Sequence, residues 1–484
     1  MMKSQDAVLL PTLTKKVVKG ITGFQLCSYT VALEGWRRGL ELKWYSDETG
    51  LCKLHSLNST THGKYFSLSD GDRTHYFLRS RGDKVSNNTV NICQNKEKTK
   101  AYMRESNVPV PLGEALEKDE DIIHYANRIG YPVIIKPIDG SMGTGVYTNI
   151  SDEKTLVNIL KELRSKYSYR EYLLEKHYDG KEYRIYVVGD KVIGATNRIP
   201  ANVVGNGIDS VKQLIEIKNK KRKKNPYLSP KPIKVDYEVT YMLERAGYTL
   251  DSVLKEGEQI FLREKSNLSS GGDSMEATDE LSDEVKQIAV DSLKALPSIP
   301  HAGVDIIVDS KDNKKGVVLE VNATAEIGFH LFPLVGEAKD VPEAIIDYYF
   351  PETIGAKKSR FYFDYLSILE PLKSGVADEI KVAPTPLNKQ HAKKYMVTGE
   401  LSKVNYMKVI KRRALEKNLF GYVKQINENT VEIYLVGESR EEVNAFKDDV
   451  KEGSQRSVVE TIEEEDLELS NRSRKMGFYI IAKK

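Results

Sequence analysis

The stretch YPVIIKPIDGSMGTGVYT, residues 131–148, decides how the chain is read. An apolar run ends in Lys136 and opens into a loop carrying Gly140, Gly143 and Gly145, after which Val146, Tyr147 and Thr148 have strand character. A lysine at a strand end, followed by a loop of unhindered backbone N–H groups, suits a phosphate. The order of the parts excludes two familiar loops. A Walker-type loop ends in Gly-Lys-Ser/Thr where a helix starts, and a protein-kinase loop has its lysine on a later strand. Here the lysine comes first and a strand follows, so the rest of the chain must settle the arrangement.

The chain has 484 residues, room for about three or four domains of about 100–200 residues each. With 40% hydrophobic and 30% charged residues it has an ordinary globular profile. The 73 basic and 70 acidic side chains leave a formal charge of +3. That balance gives no argument for nucleic acid or an anionic membrane as partner. Three cysteines (Cys27, Cys52 and Cys93) do not make a disulfide framework or a metal-ligand spacing, so a reducing, cytoplasmic setting is expected. The apolar patch before Pro11 is too short for a signal sequence. No stretch approaches the roughly 18 apolar residues of a membrane span.

Residues 6–90 mix short strand-like runs (AVLL, LELKWY, HYFLR) with a helical stretch in which Val31, Leu33, Trp36 and Leu40 recur. A helix is expected at NKEKTKAYMRE, stopped by Pro109 and Pro111. Strands and helices then alternate to about Pro351. The basic run NKKRKKN, residues 219–225, reads most simply as a solvated loop; the functional reading is a mobile loop meeting phosphates or an acidic substrate. Residues 353–394 read as a proline-bearing connector, and 395–484 as a compact βαββαβ unit in which the acidic run 463–466 is a solvated turn.

A second constellation lies at GVDIIVDSKDNKKGVVLEVNA, residues 303–323, two apolar strands around a polar turn. Strict alternation places Val318, Glu320 and Asn322 on one face of the second strand. A carboxylate and an amide in such a strand are costly to bury without partners. With Asp305 on the facing strand they form an oxygen set suited to Mg²⁺, which keeps waters and phosphate oxygens as its remaining ligands. The competing reading is a half-exposed hairpin. Between the two constellations, YLLEKHYDGKEYR offers Glu175 and Glu182, suited to the base edge and ribose hydroxyls of a nucleotide.

Taken together these residues resemble the ATP-grasp superfamily, and within it the ATP-grasp half of cyanophycin synthetases and bifunctional glutathione synthetases. The resemblance spans roughly residues 90–352. It implies an α/β and α+β multidomain protein: a pre-ATP-grasp domain (1–90), an ATP-grasp domain (91–352), the connector (353–394) and the C-terminal unit (395–484). It implies that Lys96 and Lys136 touch ATP phosphates and that Gly140, Ser141, Met142, Gly143, Thr144 and Gly145 form the lid. By the same resemblance Glu175 and the Lys176 backbone hold adenine, Glu182 holds ribose, and Asp305, Glu320 and Asn322 hold two Mg²⁺, for which Mn²⁺ is a substitute. RIPANVVGNGIDSVKQLI and FLREKSNLSSGGDSMEATDE are similar to the segments around the family's substrates. They imply catalytic roles for Arg198 and Arg263 and substrate contacts for Arg184, Asn267, Ser269, Ser270, Gly271 and Gly272. His330 is a candidate base or an interior packing residue.

The chain departs from the family in two places. After the metal strand the family continues Asn-x-x-Pro-Gly, whereas Asn322 here leads into ATAEIGF. The Mur-ligase-like half of cyanophycin synthetases is not matched. The implied reaction is ATP-dependent joining of an acid and an amine through an acyl phosphate, with an amino acid or peptide as substrate and no membrane partner. A kinase-like ATP-grasp protein and a regulatory ATP-binding scaffold are the alternatives, and a homo-oligomer is left open. Residues 395–484 resemble the acylphosphatase (ferredoxin-like) fold. There Lys403 and Asn405 fall at the family's glycine positions, Met407 at the arginine and Gln425 at the asparagine, which implies a non-catalytic domain.

Overall fold

Apolar residues at helical spacing fold 23–37 into a helix, Gly23–Arg37, that is buried on every side from Leu26 onward. In the computed structural model, which describes residues 7–46, 54, 62–138, 145–402, 404–469 and 472–481, this helix packs against a five-stranded antiparallel sheet. The strand order is Glu379–Lys381, Glu41–Tyr45, Tyr65–Ser69, Thr74–Leu78, Arg81–Gly82. The stretch 353–394, expected as a connector, therefore supplies an edge strand, and its backbone completes the sheet by pairing with Glu41–Tyr45. The apolar core of this unit also takes in Phe361, Tyr365, Leu369, Ile345 and Tyr349.

The centre of the molecule is a second antiparallel sheet, ordered Asp273–Glu276, Lys191–Ile199, Gly180–Val188, His301–Asp309, Gly316–Asn322. Its two faces differ. Ile185, Val187, Ala195, Val304, Ile306 and Val321 point into a core shared with Val285, Ala289 and Leu293 of helix Asp283–Lys294. The opposite face carries Glu182, Arg184, Thr196, Arg198, Asp305, Glu320 and Asn322, which the register brings side by side. A smaller antiparallel sheet, ordered Gly113–Leu116, Tyr172–Lys176, Val133–Pro137, Tyr147–Ile150, is backed by helices Asp119–Ile129 and Glu153–Lys166. The turn at 177–179 joins this sheet to the central one.

Residues 201–262 are inserted between two central strands and have their own core of Val211, Leu214, Ile215, Val239 and Leu243. The basic run 219–225, expected as a loop, lies almost wholly in helix Val211–Lys224. Ser210 and Gln213 close a capping box at its start, Val211, Leu214 and Ile215 seat its first turns, and Asn225 and Pro226 stop it. Arg222 faces inward, 1% exposed, and donates to the Lys231 and Gly272 carbonyls.

The C-terminal sheet is ordered Val458–Leu467, His391–Glu400, Thr430–Gly437, Phe420–Asn427, Phe478–Ile481. The acidic run 463–466, expected as a turn, sits in the edge strand Val458–Leu467. Lys393 and Lys394 of the neighbouring strand face its carboxylates. Charge on an edge strand discourages pairing with other chains. This unit is not a detached tail. Ala392 and Val436 enter the N-terminal core, and Phe361–Tyr362 pairs in parallel with Arg474–Lys475. Among the described residues no helix is long and apolar enough to cross a membrane.

Candidate functional site

The metal-type strand owes its geometry to one irregularity. Asp305 pairs with Glu320, but the next residue, Ile306, pairs with Val318, so Leu319 is bulged out of register. Strict alternation would keep Val318 on the face of Glu320. The bulge instead sends Val318 into the apolar core and leaves Glu320 and Asn322 on the polar face with Asp305.

On that face acids and arginines alternate. Arg184 grips both Asp305 oxygens, with Nη2 at 2.7 Å from Oδ2. Arg198 Nη2 lies 2.9 Å from the same oxygen and pairs with Glu182, which also accepts from Ser266 Oγ at 3.0 Å. Arg184 Nη2 is 3.6 Å from Glu320, whose Oε1 accepts from Asn322 Nδ2 at 3.0 Å. Burial opposes charge on Asp305, yet the two guanidiniums hold its carboxyl well below the usual range. Arg198 Nε and His330 Nε2 are buried without a hydrogen-bond partner among the described residues. Such groups cost about 1–3 kcal/mol each until something satisfies them.

The facing side is built by the smaller sheet and helix Lys96–Glu105. Glu175, 1% exposed, is clamped between Lys136 on one oxygen and Lys100 on the other. Burial and the neighbouring Lys96 lower Lys136 from 10.5 to about 8, while Glu320 pushes it back up. Helix Lys96–Glu105 also contacts strand Gly316–Asn322, so the lysines and the metal-type strand face one cleft. Burial, with Lys136 next, lowers Lys100 to about 6. Lys100 was not singled out in the sequence, although its spacing of four from Lys96 puts both on one helix face.

The other expected site residues fall into three groups. Gly140, Ser141, Met142, Gly143 and Thr144 lie outside the described residues. Gly145 has φ +67, and a Cβ there would stand 3.0 Å from Pro137, so glycine is required on both counts. The Lys176 N–H donates to the Leu112 carbonyl at 2.8 Å and is not offered to a base, while its Nζ donates to the Gly130 and Tyr131 carbonyls.

Arg263 is not brought to the cleft. It pairs with Asp236 and Glu238 and donates through Nε to the Ser270 carbonyl at 3.0 Å, bracing helix Tyr237–Arg245 against the 267–272 turn. That turn is not an open anion nest. The N–H groups of Ser270 and Gly272 both go to the Asn267 carbonyl and that of Gly271 to Leu268. Gly271, at φ +101, leaves no room for a Cβ beside Ile233. Ser269 stays exposed. His330 is buried with Nδ1 at 3.2 Å from Thr196 Oγ1, and burial followed by Arg184 lowers it to about 3. A neutral ring packed behind the sheet face is thereby favoured over a base that charges near neutral pH.

Among the described residues no group of three or more His, Cys, Asp and Glu side chains is placed to hold a metal ion. The set present is two carboxylates and an amide on adjacent strands. Its chemistry fits a hard cation that keeps water and phosphate oxygens for its other positions.

In the C-terminal unit Met407 packs on the domain's own core, and Gln425 Nε2 is turned back onto the Asn427 carbonyl. Asn405 has φ +58, and Lys403 lies outside the described residues.

Residues 93–207 match the family model of the RimK-like ATP-grasp domain, and residues 393–480 match that of acylphosphatase. The chain is 34% identical over 305 residues to the glutathione biosynthesis bifunctional protein GshAB of Clostridium perfringens, covering 59% of this chain and 38% of that protein. It is 34% identical over 278 residues to the cyanophycin synthetase of a Nostoc species, covering 56% of this chain and 30% of that protein. A bifunctional glutathione synthetase from Pasteurella multocida matches in structure with a TM-score of 0.49 at 27% identity, over 60% of this chain and 41% of that one. The chain thus spans well under half the length of these relatives. Residues 93–207 are thus a RimK-like ATP-grasp domain, and the chain joins it to a C-terminal acylphosphatase domain.

Proposed function

We propose that the chain is an ATP-dependent carboxylate–amine ligase that activates an acid as its acyl phosphate and joins it to the amine of an amino acid or peptide. The observation that carries this reading is the pairing of Lys96, Lys136 and Lys100 on one side of the cleft with Asp305, Glu320 and Asn322 on the other. Phosphoryl transfer is governed by positioning and charge neutralisation, and these are what the two walls supply. Asp305, Glu320 and Asn322 would hold divalent cations, Mg²⁺ by their oxygen chemistry, which would supply positive charge to neutralise the phosphates.

The remaining work falls to side chains of this chain. Lys136 shifts from Glu175 toward the phosphates, and Lys100 stays against the Glu175 carboxylate. Arg198 turns its buried, unbonded Nε toward the carboxylate that is being phosphorylated and stabilises its developing oxyanion. Arg184 keeps Asp305 aligned and ionised. Glu182, held by Arg198 and Ser266, presents its carboxylate to the ribose hydroxyls.

Paired acids and amines incubated with ATP and Mg²⁺, assayed for ADP and then for products by mass spectrometry, test this reading. A product weighing acid plus amine less water is expected. A phosphorylated product without amide would identify a kinase. No ADP from any pair would leave an ATP-binding scaffold.

A further inference from the structure

The loop that follows the metal-type strand, residues 323–330, is pinned by three separate parts of the chain. Ala325 packs against Gly303 of the central sheet, where an added Cβ would lie 2.9 Å from Ala325 Cβ. Its carbonyl accepts from Ser80 Oγ at 2.8 Å, and the Ile327 N–H meets Cys27 Sγ at 3.4 Å, both from the N-terminal unit. Gly328 lies under the ring of Tyr227, where a Cβ would come within 2.3 Å of a ring carbon. Glu326 therefore stands where the N-terminal unit, the central sheet and the inserted unit meet, one residue beyond the contact with Gly303. It is also where this chain departs from the family's Pro-Gly.

The surroundings of Glu326 are polar and chemically specific. Tyr227 donates its hydroxyl to Glu326 Oε2, and Lys231 Nζ lies 3.3 Å from the same oxygen while standing 3.5 Å over the Tyr227 ring. The Lys231 and Glu326 side chains keep 15% and 24% of their surface in reach of solvent. Arg79 completes the group. It sits at φ +62 in the turn between Thr74–Leu78 and Arg81–Gly82, a conformation that strains a non-glycine residue. That turn sets its guanidinium 3.7 Å over the Phe24 ring. Its neighbour Ser80 is the residue that donates to the Ala325 carbonyl, which brings this turn up against the residue before Glu326.

Two cations around one carboxylate leave the place positive. A simple anion would meet Lys231 and Arg79 but be repelled by Glu326; a simple amine would suffer the reverse. A zwitterion bearing an ammonium and a carboxylate on one carbon satisfies both. We propose that Glu326, Tyr227, Lys231 and Arg79 form a binding site for the headgroup of an α-amino acid, with the ammonium on Glu326 and the carboxylate on Lys231 and Arg79. The assignment rests on the ligase reading for the fate of the bound amine and not for its binding.

The test uses the full chain and ligand-observed NMR with free L-amino acids, their N-acetyl forms and their carboxamides, followed by titration of each binder. At least one free amino acid should bind, and its N-acetyl and carboxamide forms should bind at least tenfold more weakly. Glu326→Gln and Lys231→Met should each weaken the free amino acid at least tenfold, with MgADP affinity unchanged as the check on folding. Tyr227→Phe, which removes only a hydroxyl, should weaken it less. Equal binding of the blocked forms, wild-type affinity in both charge variants, or no binding of any free amino acid would overturn the proposal. Amide formation that continues unaltered in Glu326→Gln would refute this site and leave the ligase reading standing. Amino acids that bind here while no pair yields ADP would refute the ligase reading and keep the site.

Discussion

Asp305 and Glu320 stand opposite each other across the central hairpin, and they do so because Leu319 is bulged out of the ladder. Without the bulge the period of two would keep Val318 and Glu320 on one face, so that either Val318 would face the cleft or Glu320 the apolar core. The chain's oxygen donors are thus assembled by a backbone irregularity as much as by their side chains.

Glu320→Gln should leave the melting temperature nearly unchanged, since Glu320 is partly exposed and Asn322 can still donate to the new amide oxygen. Ligation should fall by at least a hundredfold, about 3 kcal/mol of transition-state stabilisation. ADP release at saturating Mg²⁺ checks this; turnover like that of the wild type would remove Glu320 from the cation site.

Lys136 gives nucleotide binding a pH dependence. Burial and Lys96 lower its pKa to about 8 in the free protein, and a bound phosphate raises it again. Affinity should therefore be full below pH 8 and decline as pH rises above it, by up to about tenfold per unit, because binding must then capture a proton. Calorimetric titration of MgADP at pH 7 and pH 9.5 measures the effect. Lys136→Met should bind more weakly at pH 7 and lose most of the slope.

Arg263→Ala should act on stability before chemistry. The side chain is buried, but Asp236 and Glu238 are each 47% exposed, so solvent screens the pairs and the loss is about 1–2 kcal/mol. A thermal melt should register that loss, and the ATP KM should stay within a few-fold. A nucleotide defect larger than the stability defect would return Arg263 to the cleft.

The acylphosphatase unit should not hydrolyse a small acyl phosphate above background. The resemblance puts Met407 and Gln425 where the family has an arginine and an asparagine, and Met407 packs against the core. Benzoyl phosphate consumption by the full chain decides the point. Removing residues 391–484 should lower solubility and melting temperature, because Ala392 and Val436 help fill the N-terminal core. A truncated chain as stable as the whole would show that this packing contributes little.

Much of this was legible in the sequence because it depends on local order. Lys136 before a glycine loop, the 303–323 hairpin and the βαββαβ pattern after residue 395 are set by period, turn chemistry and spacing, which neighbours along the chain impose on one another. Tertiary structure decided what those groups do to each other. The Leu319 bulge, the Glu175 carboxylate between Lys100 and Lys136, the diversion of Arg263 to Asp236 and Glu238, and the recruitment of 379–381 into the first sheet all join residues far apart in sequence. Charge is the physical reason for two of them, the Glu175 clamp and the diversion of Arg263. A buried ion must take whichever partner the packing brings near, and no periodicity along the chain records which one that is.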